Sequence, residues 1–161
     1  MKPLKVIIME DKVPSFFRFE DLRIYGKSLD YGRWVIQNLR EAHNENESRF
    51  NKTFVKSAMN IAVSIAEGSS RSKTQFDHYL KNAKTAIREC VVYTTLAKDL
   101  GMLNESQCER SRELLMEQTR MIGALIISLQ RSPRRNDEEE SVAEEENISN
   151  NDYEAETSFD F

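Results

Sequence analysis

The chain has 161 residues, about one domain's worth, and 39% of them are hydrophobic, enough for one core. Its formal charge of −4 conceals a division: residues 1–135 hold all 23 Lys and Arg against 16 of the 27 acids, a net of +7, while residues 136–161 hold the other 11 acids and no base. No run approaches the roughly 18 apolar residues of a membrane span, and the apolar run near the start is far short of a secretory h-region of roughly 7 to 15 residues, so a cytoplasmic protein with no membrane association is expected.

In chain order, residues 1–18 read as an irregular lead broken by Pro3 and Pro14, with a short edge strand at Lys5–Met9 as the lesser alternative. Asp21 is the expected N-cap of a first helix running to about Ala42, with Leu22, Tyr25, Leu29, Ile36 and Leu39 on a seam that passes through Gly32. The polar stretch His43–Arg49 reads as the first loop. Residues 54–66 are apolar at so many angles that the second helix is expected at the centre of a bundle, against two or more neighbours. Gly68 supplies its stop as a left-handed C′ residue.

Ser72 and Gln75 have capping-box spacing, so the third helix begins at about Lys73. On it Phe76, Leu80, Ala83, Ile87, Cys90, Thr94 and Ala97 alternate at spacings of 4 and 3, the repeat of an antiparallel bundle seam. Gly101 ends that helix, and Asn104 with Gln107 repeats the capping-box spacing. The fourth helix carries Leu115, Gln118, Ile122, Leu125 and Leu129 on one seam until Pro133. The fold class is therefore all-α, an antiparallel up-down four-helix bundle over residues 19–132. Residues 133–161 form an acidic tail whose dense like charge cannot support a core, and disorder is expected there. Cys90 and Cys108 sit on seam positions, where a reduced thiol packs as a small hydrophobe.

A catalytic or metal centre is not expected. Bundles build di-iron sites from Glu-x-x-His pairs, but Arg40 precedes His43 and Gln75 precedes His78 at that spacing. No Gly-rich phosphate loop, Cys-x-x-Cys pair or Gly-x-Ser-x-Gly elbow occurs, so neither enzymatic activity nor a cofactor is anticipated.

Charge is the informative feature. Lys73, Lys81, Lys84 and Arg88, with Arg71 just upstream, fall on the third helix away from its seam, interrupted by Asp77; Arg110, Arg112, Arg120 and Arg131 follow on the fourth. One reading is a solubilising face with Glu109, Glu113 and Glu117 as i, i+4 partners. The other is a surface for RNA or DNA, drawn by summed charge and hence salt-sensitive and weakly sequence-specific, with Arg71, Lys73, Lys81, Lys84, Arg88, Arg110 and Arg120 as its contacts. Asn60, Ser64 and Glu67 make a polar stripe on the second helix, either satisfied internally or set at a subunit interface.

Phe19–Tyr25, Asn60–Gly68 with Ser69-Ser70-Arg71 at the turn, Phe76–Leu80 and Ala97–Gly101 together resemble the four-helix-bundle proteins encoded by 23S rRNA intervening sequences, a family that also includes the accessory variability proteins of diversity-generating retroelements. The likeness spans residues 17–132 and is most specific at the Ile-Ala-Glu-Gly turn. It implies a bacterial, non-enzymatic bundle assembled as a homopentameric ring, which in the retroelement branch binds a reverse transcriptase and nucleic acid. A protein adaptor and a purely structural oligomer remain the alternatives. The acidic tail is either a polyanion mimic, a docking peptide or a solubilising segment.

Overall fold

The structure, a computed structural model, describes residues 13–131. A short 3-10 turn at Arg18–Asp21 leads into α1 (Arg23–Asn38), α2 (Glu45–Ser69), α3 (Lys73–Asp99) and α4 (Glu105–Arg131). Each helix packs on the next, α1 closes onto α4, and no strand occurs among the described residues. The expected up-down bundle is present; the expectations of an edge strand at residues 5–9 and of disorder at residues 133–161 fall outside the described residues.

The α3 seam is as the spacing predicts. Leu80, Ala83, Ile87, Cys90, Thr94 and Ala97 are buried, and Ser72 caps the helix by accepting the Gln75 N–H at 3.3 Å. At the start of α4 the capping box is reciprocal: Asn104 Oδ1 accepts from Gln107 N–H at 2.8 Å and Gln107 Oε1 from Asn104 N–H at 2.9 Å. Gly101 has φ +70°, the left-handed residue that its position after α3 requires. Phe54, Ile61, Ile65, Leu80 and Ile122 are wholly enclosed, each worth roughly 1.5–3 kcal/mol of burial.

Helix α1 departs from expectation. Leu22, not Asp21, is the N-cap, and the Asp21 carboxylate accepts the Ser15 N–H at 3.1 Å instead. The helix stops at Asn38, before Ala42, because Leu39 turns extended and Arg40 N–H donates to the Met102 carbonyl at 3.2 Å. The buried seam is Ile24, Ser28, Tyr31 and Val35, while Ile36 is 58% exposed and Leu22, Tyr25, Leu29 and Leu39 are half-buried flanks. Ser28 tolerates the core by donating to the Ile24 carbonyl at 2.8 Å.

The His43–Arg49 stretch is likewise shorter as a loop than expected. Asn44 caps α2 by accepting the Glu47 N–H at 2.9 Å, and Glu47 reaches back to the His43 N–H at 2.8 Å. That backbone hydrogen bond first, then the Arg40 guanidinium, holds the Glu47 carboxyl below its usual range.

Helix α2 is not enclosed on every side. It packs on α1 and α3, and its outer edge leaves Met59 and Val63 38% and 47% exposed. Nor does Gly68 act as a left-handed stop, since Gly101 is the one residue of positive φ among those described. Gly68 is instead buried inside the helix, where an added Cβ would lie 2.5 Å from Tyr79 Cβ and 2.8 Å from Phe76 Cδ2. The glycine is a contact point between α2 and α3, and the turn beyond it is tight because those helices meet there.

Three hydroxyls join three helices in the core. Tyr31 Oη of α1 lies 2.9 Å from Ser111 Oγ of α4, which lies 2.7 Å from Thr94 Oγ1 of α3. Burial pushes the Tyr31 phenol well above its ordinary value and the Cys90 thiol up to about 12, with the Glu89 charge adding to the latter.

Two outcomes follow from these contacts. Gly68→Ala should cost about 1–3 kcal/mol by overpacking, whereas Gly26→Ala and Gly123→Ala, where a Cβ meets nothing within 4 Å, should be neutral or stabilising; urea denaturation distinguishes the sites. Cys90 is neutral in both states below its ordinary value of 9.0 and ionises first in the unfolded chain above it, so stability is full below about pH 9 and falls toward pH 12. The fall approaches about 1.4 kcal/mol per pH unit for this group. Denaturation curves should show a shallower alkaline decline for Cys90→Ala than for the native chain, and parallel declines would contradict the assignment.

Candidate nucleic-acid interface

The Thr94–Ser111 contact fixes how α3 and α4 lie against each other, and the Arg112 guanidinium donates to Thr95 Oγ1 at 2.6 Å one residue further along both. The helices are antiparallel, so each step toward the start of α3 is a step toward the end of α4, at about 1.5 Å per residue. Arg88 and Lys84 therefore stand level with Arg120, and Lys73 with Arg131 at the end of the bundle.

That register sorts charge by end. The half built from residues 71–88 and 118–131 contains Arg71, Lys73, Lys81, Lys84, Arg88, Arg120 and Arg131 against the single acid Asp77, while residues 89–117 contain six acids and three bases. Neither helix alone shows the asymmetry as strongly, because each is basic in one half and acidic in the other. Pairing them antiparallel adds like halves together.

Several acids are also turned away from this surface. Glu89 accepts Ser57 Oγ of α2 at 2.8 Å, Glu117 pairs with Lys27 of α1 at 2.9 Å, and Glu113 pairs with Arg110 at 3.1 Å. Of the cations, Lys81 pairs with Asp77 four residues before it, the lysine exposed and the carboxylate half-buried. Among the described residues no carboxylate stands within ion-pair distance of Arg71, Lys84, Arg88 or Arg120. Of the reading in which Glu109, Glu113 and Glu117 act as i, i+4 partners, the described residues show Glu113 paired with Arg110 at i, i+3 and Glu117 turned to Lys27.

At the same end an open depression of about 330 Å³ is lined by Arg71, Thr74, Gln75, His78 and Tyr79. Exposed Met116 and Ile127 lie on α4 at helical spacing with Arg120 and Arg131. Gly123 between them leaves open space. This stripe of cations alternating with apolar residues was discernible only in part from sequence: the 4, 7, 4 spacing of residues 116, 120, 127 and 131 was its signal.

Of the sequence-derived contacts, Arg71, Lys73, Lys81, Lys84, Arg88 and Arg120 come together on this half. Arg110 does not: it faces α1, in a depression of about 210 Å³ shared with Lys27, Asp30, Trp34, Leu114, Glu117 and Gln118. Asn60 and Glu67 are exposed and Ser64 half-buried on α2, so the polar stripe looks outward, next to the exposed Val63, rather than into the core.

Among the described residues no group of three His, Cys, Asp or Glu side chains is placed to hold a metal, and no helix is long and apolar enough to cross a membrane. Both cysteines are buried and unbridged. The architecture defines a small all-α bundle protein with one strongly basic end. A model of the 23S rRNA-intervening sequence protein family matches residues 20–124, and the chain belongs to that family. Comparison with curated proteins gives no match.

Proposed function

We propose that the chain is a non-enzymatic, cytoplasmic, ring-forming accessory module that binds RNA or DNA through the basic end of α3 and α4. The observation that carries this reading is the segregation of seven bases and one acid onto one half of the α3/α4 pair. Summed positive potential of that kind attracts a phosphate backbone without base-specific groups, and the exposed Met116 and Ile127 beside it offer apolar contact to bases or sugars. The family name, which ties members to sequences intervening in 23S rRNA, accords with an RNA context.

Assembly is part of the reading. Ile36, Met59 and Val63 leave apolar area open along α1 and α2, adjoining the Asn60, Ser64 and Glu67 stripe. A subunit interface would cover the first and give hydrogen-bond partners to the second; the number five comes from the family resemblance. The same exposed apolar edge favours, as a second reading, a protein adaptor, with a reverse transcriptase as the partner that the resemblance implies.

The test is binding of single-stranded RNA and duplex DNA over a salt series by the full chain and by a Lys81→Glu, Lys84→Glu, Arg88→Glu triple variant. Affinity should fall by more than tenfold at low salt, and the log–log salt slope should flatten by about three. Lys52→Glu, Lys56→Glu on α2 should leave binding close to native. Equal losses in both variants, or none in the first, would contradict the site. Light scattering should give about 94 kDa, five times the 18.7 kDa chain, and a monomer mass would remove the ring.

A further inference from the structure

The register that gathers the bases also fixes where the chain leaves the bundle. Helix α4 ends at Arg131, at the basic end, and 30 residues follow it, among them all 11 acids of residues 136–161. From the geometry we infer that residues 137–161 dock on the basic α3/α4 surface of their own chain and compete there with nucleic acid. The inference rests on the proposed polyanion site and names its regulator.

Reach and charge both favour this occupant. The basic surface runs along α3 from Lys73 to Arg88, 15 residues of helix, about 23 Å long at 1.5 Å per residue. Some 25 residues can span at most roughly 83–90 Å, well beyond that distance, so the acids are tethered within reach of the surface, at an effective concentration on the order of millimolar. Their sign is opposite to that of Arg71, Lys84, Arg88 and Arg120, which no carboxylate among the described residues neutralises. The remainder of the bundle is a poorer partner, since residues 89–117 are acidic on balance and residues 13–70 hold eight bases against seven acids. Phe159 and Phe161 add aromatic residues suited to the exposed Met116 and Ile127.

Two readouts on the full-length protein test it. Carbodiimide joins a carboxylate to a lysine amine in direct contact, and mass spectrometry of the product should find residues 137–160 linked to Lys73, Lys81 and Lys84 at low salt. High salt should abolish those links, and Lys52 and Lys56 on α2 should show few. Absence of links to α3, or equal linkage to α2, would overturn the inference. Heavy and light isotope-labelled chains refolded together should give links within one label; links mainly between labels would assign the tail to a second subunit and overturn docking on its own chain.

The second readout is affinity for a single-stranded RNA homopolymer. A full-length variant with the eleven tail acids changed to Asn or Gln should bind on the order of tenfold more tightly at low salt, the gain vanishing as salt rises. Unchanged affinity would contradict competition. Tail links to α3 with no RNA binding by either protein would instead overturn the nucleic-acid reading and leave tail docking intact.

Discussion

The arrangement depends on a triangle of hydroxyls in an otherwise apolar core. Tyr31, Thr94 and Ser111 come from three different helices, and their mutual hydrogen bonds would be lost if any of those helices slid by a turn. Apolar side chains alone tolerate several registers at modest cost, whereas a network of this kind penalises every register but one. The close approach at Gly68 pins the α2–α3 pair in the same way, by leaving no room for displacement. Register is thus specified twice, once by polar satisfaction and once by steric contact.

Register in turn determines the electrostatics. Helices α3 and α4 each change sign along their length, and the antiparallel pairing at Thr94–Ser111 lays basic half on basic half. The like-charge repulsion this creates is tolerable on a surface, where solvent and salt screen it, but among the described residues it leaves, on that half, seven bases against the single acid Asp77. The nearby acids make their contacts elsewhere: Glu89 with α2, Glu117 with α1, Glu105 with Lys98 at the far end. Positive potential of that kind is the physical basis of the proposed anion site.

Much of the fold was readable from sequence because α3 advertises itself. Its seam alternates at 3 and 4 without a break, and Ser72 and Asn104 mark two helix starts with capping chemistry that the structure reproduces. Helix α1 misled because its true seam includes Ser28, a polar residue satisfied by its own helix, while Ile36 sits in the open. The start of α2 was hidden inside a polar run whose Asn44 and Glu47 look like loop residues until their backbone partners are seen. Gly68 carries the signature of a helix stop, and its actual role, contact with Tyr79, depends on a neighbour that sequence does not reveal. The candidate site was legible as a list of cations but not as a shape. Arg110 joined that list by proximity in sequence, and only the packing of α4 shows that it faces α1.

The most direct check on the central claim, that register creates a single basic binding end, is amide hydrogen exchange of the full chain with and without a short single-stranded RNA. Protection should grow within residues 71–88 and 118–131 and leave residues 89–117 and α2 as they were. Protection centred on the acidic half or on α1 and α2 would contradict the account, because the bound surface would then owe nothing to how α3 and α4 pair.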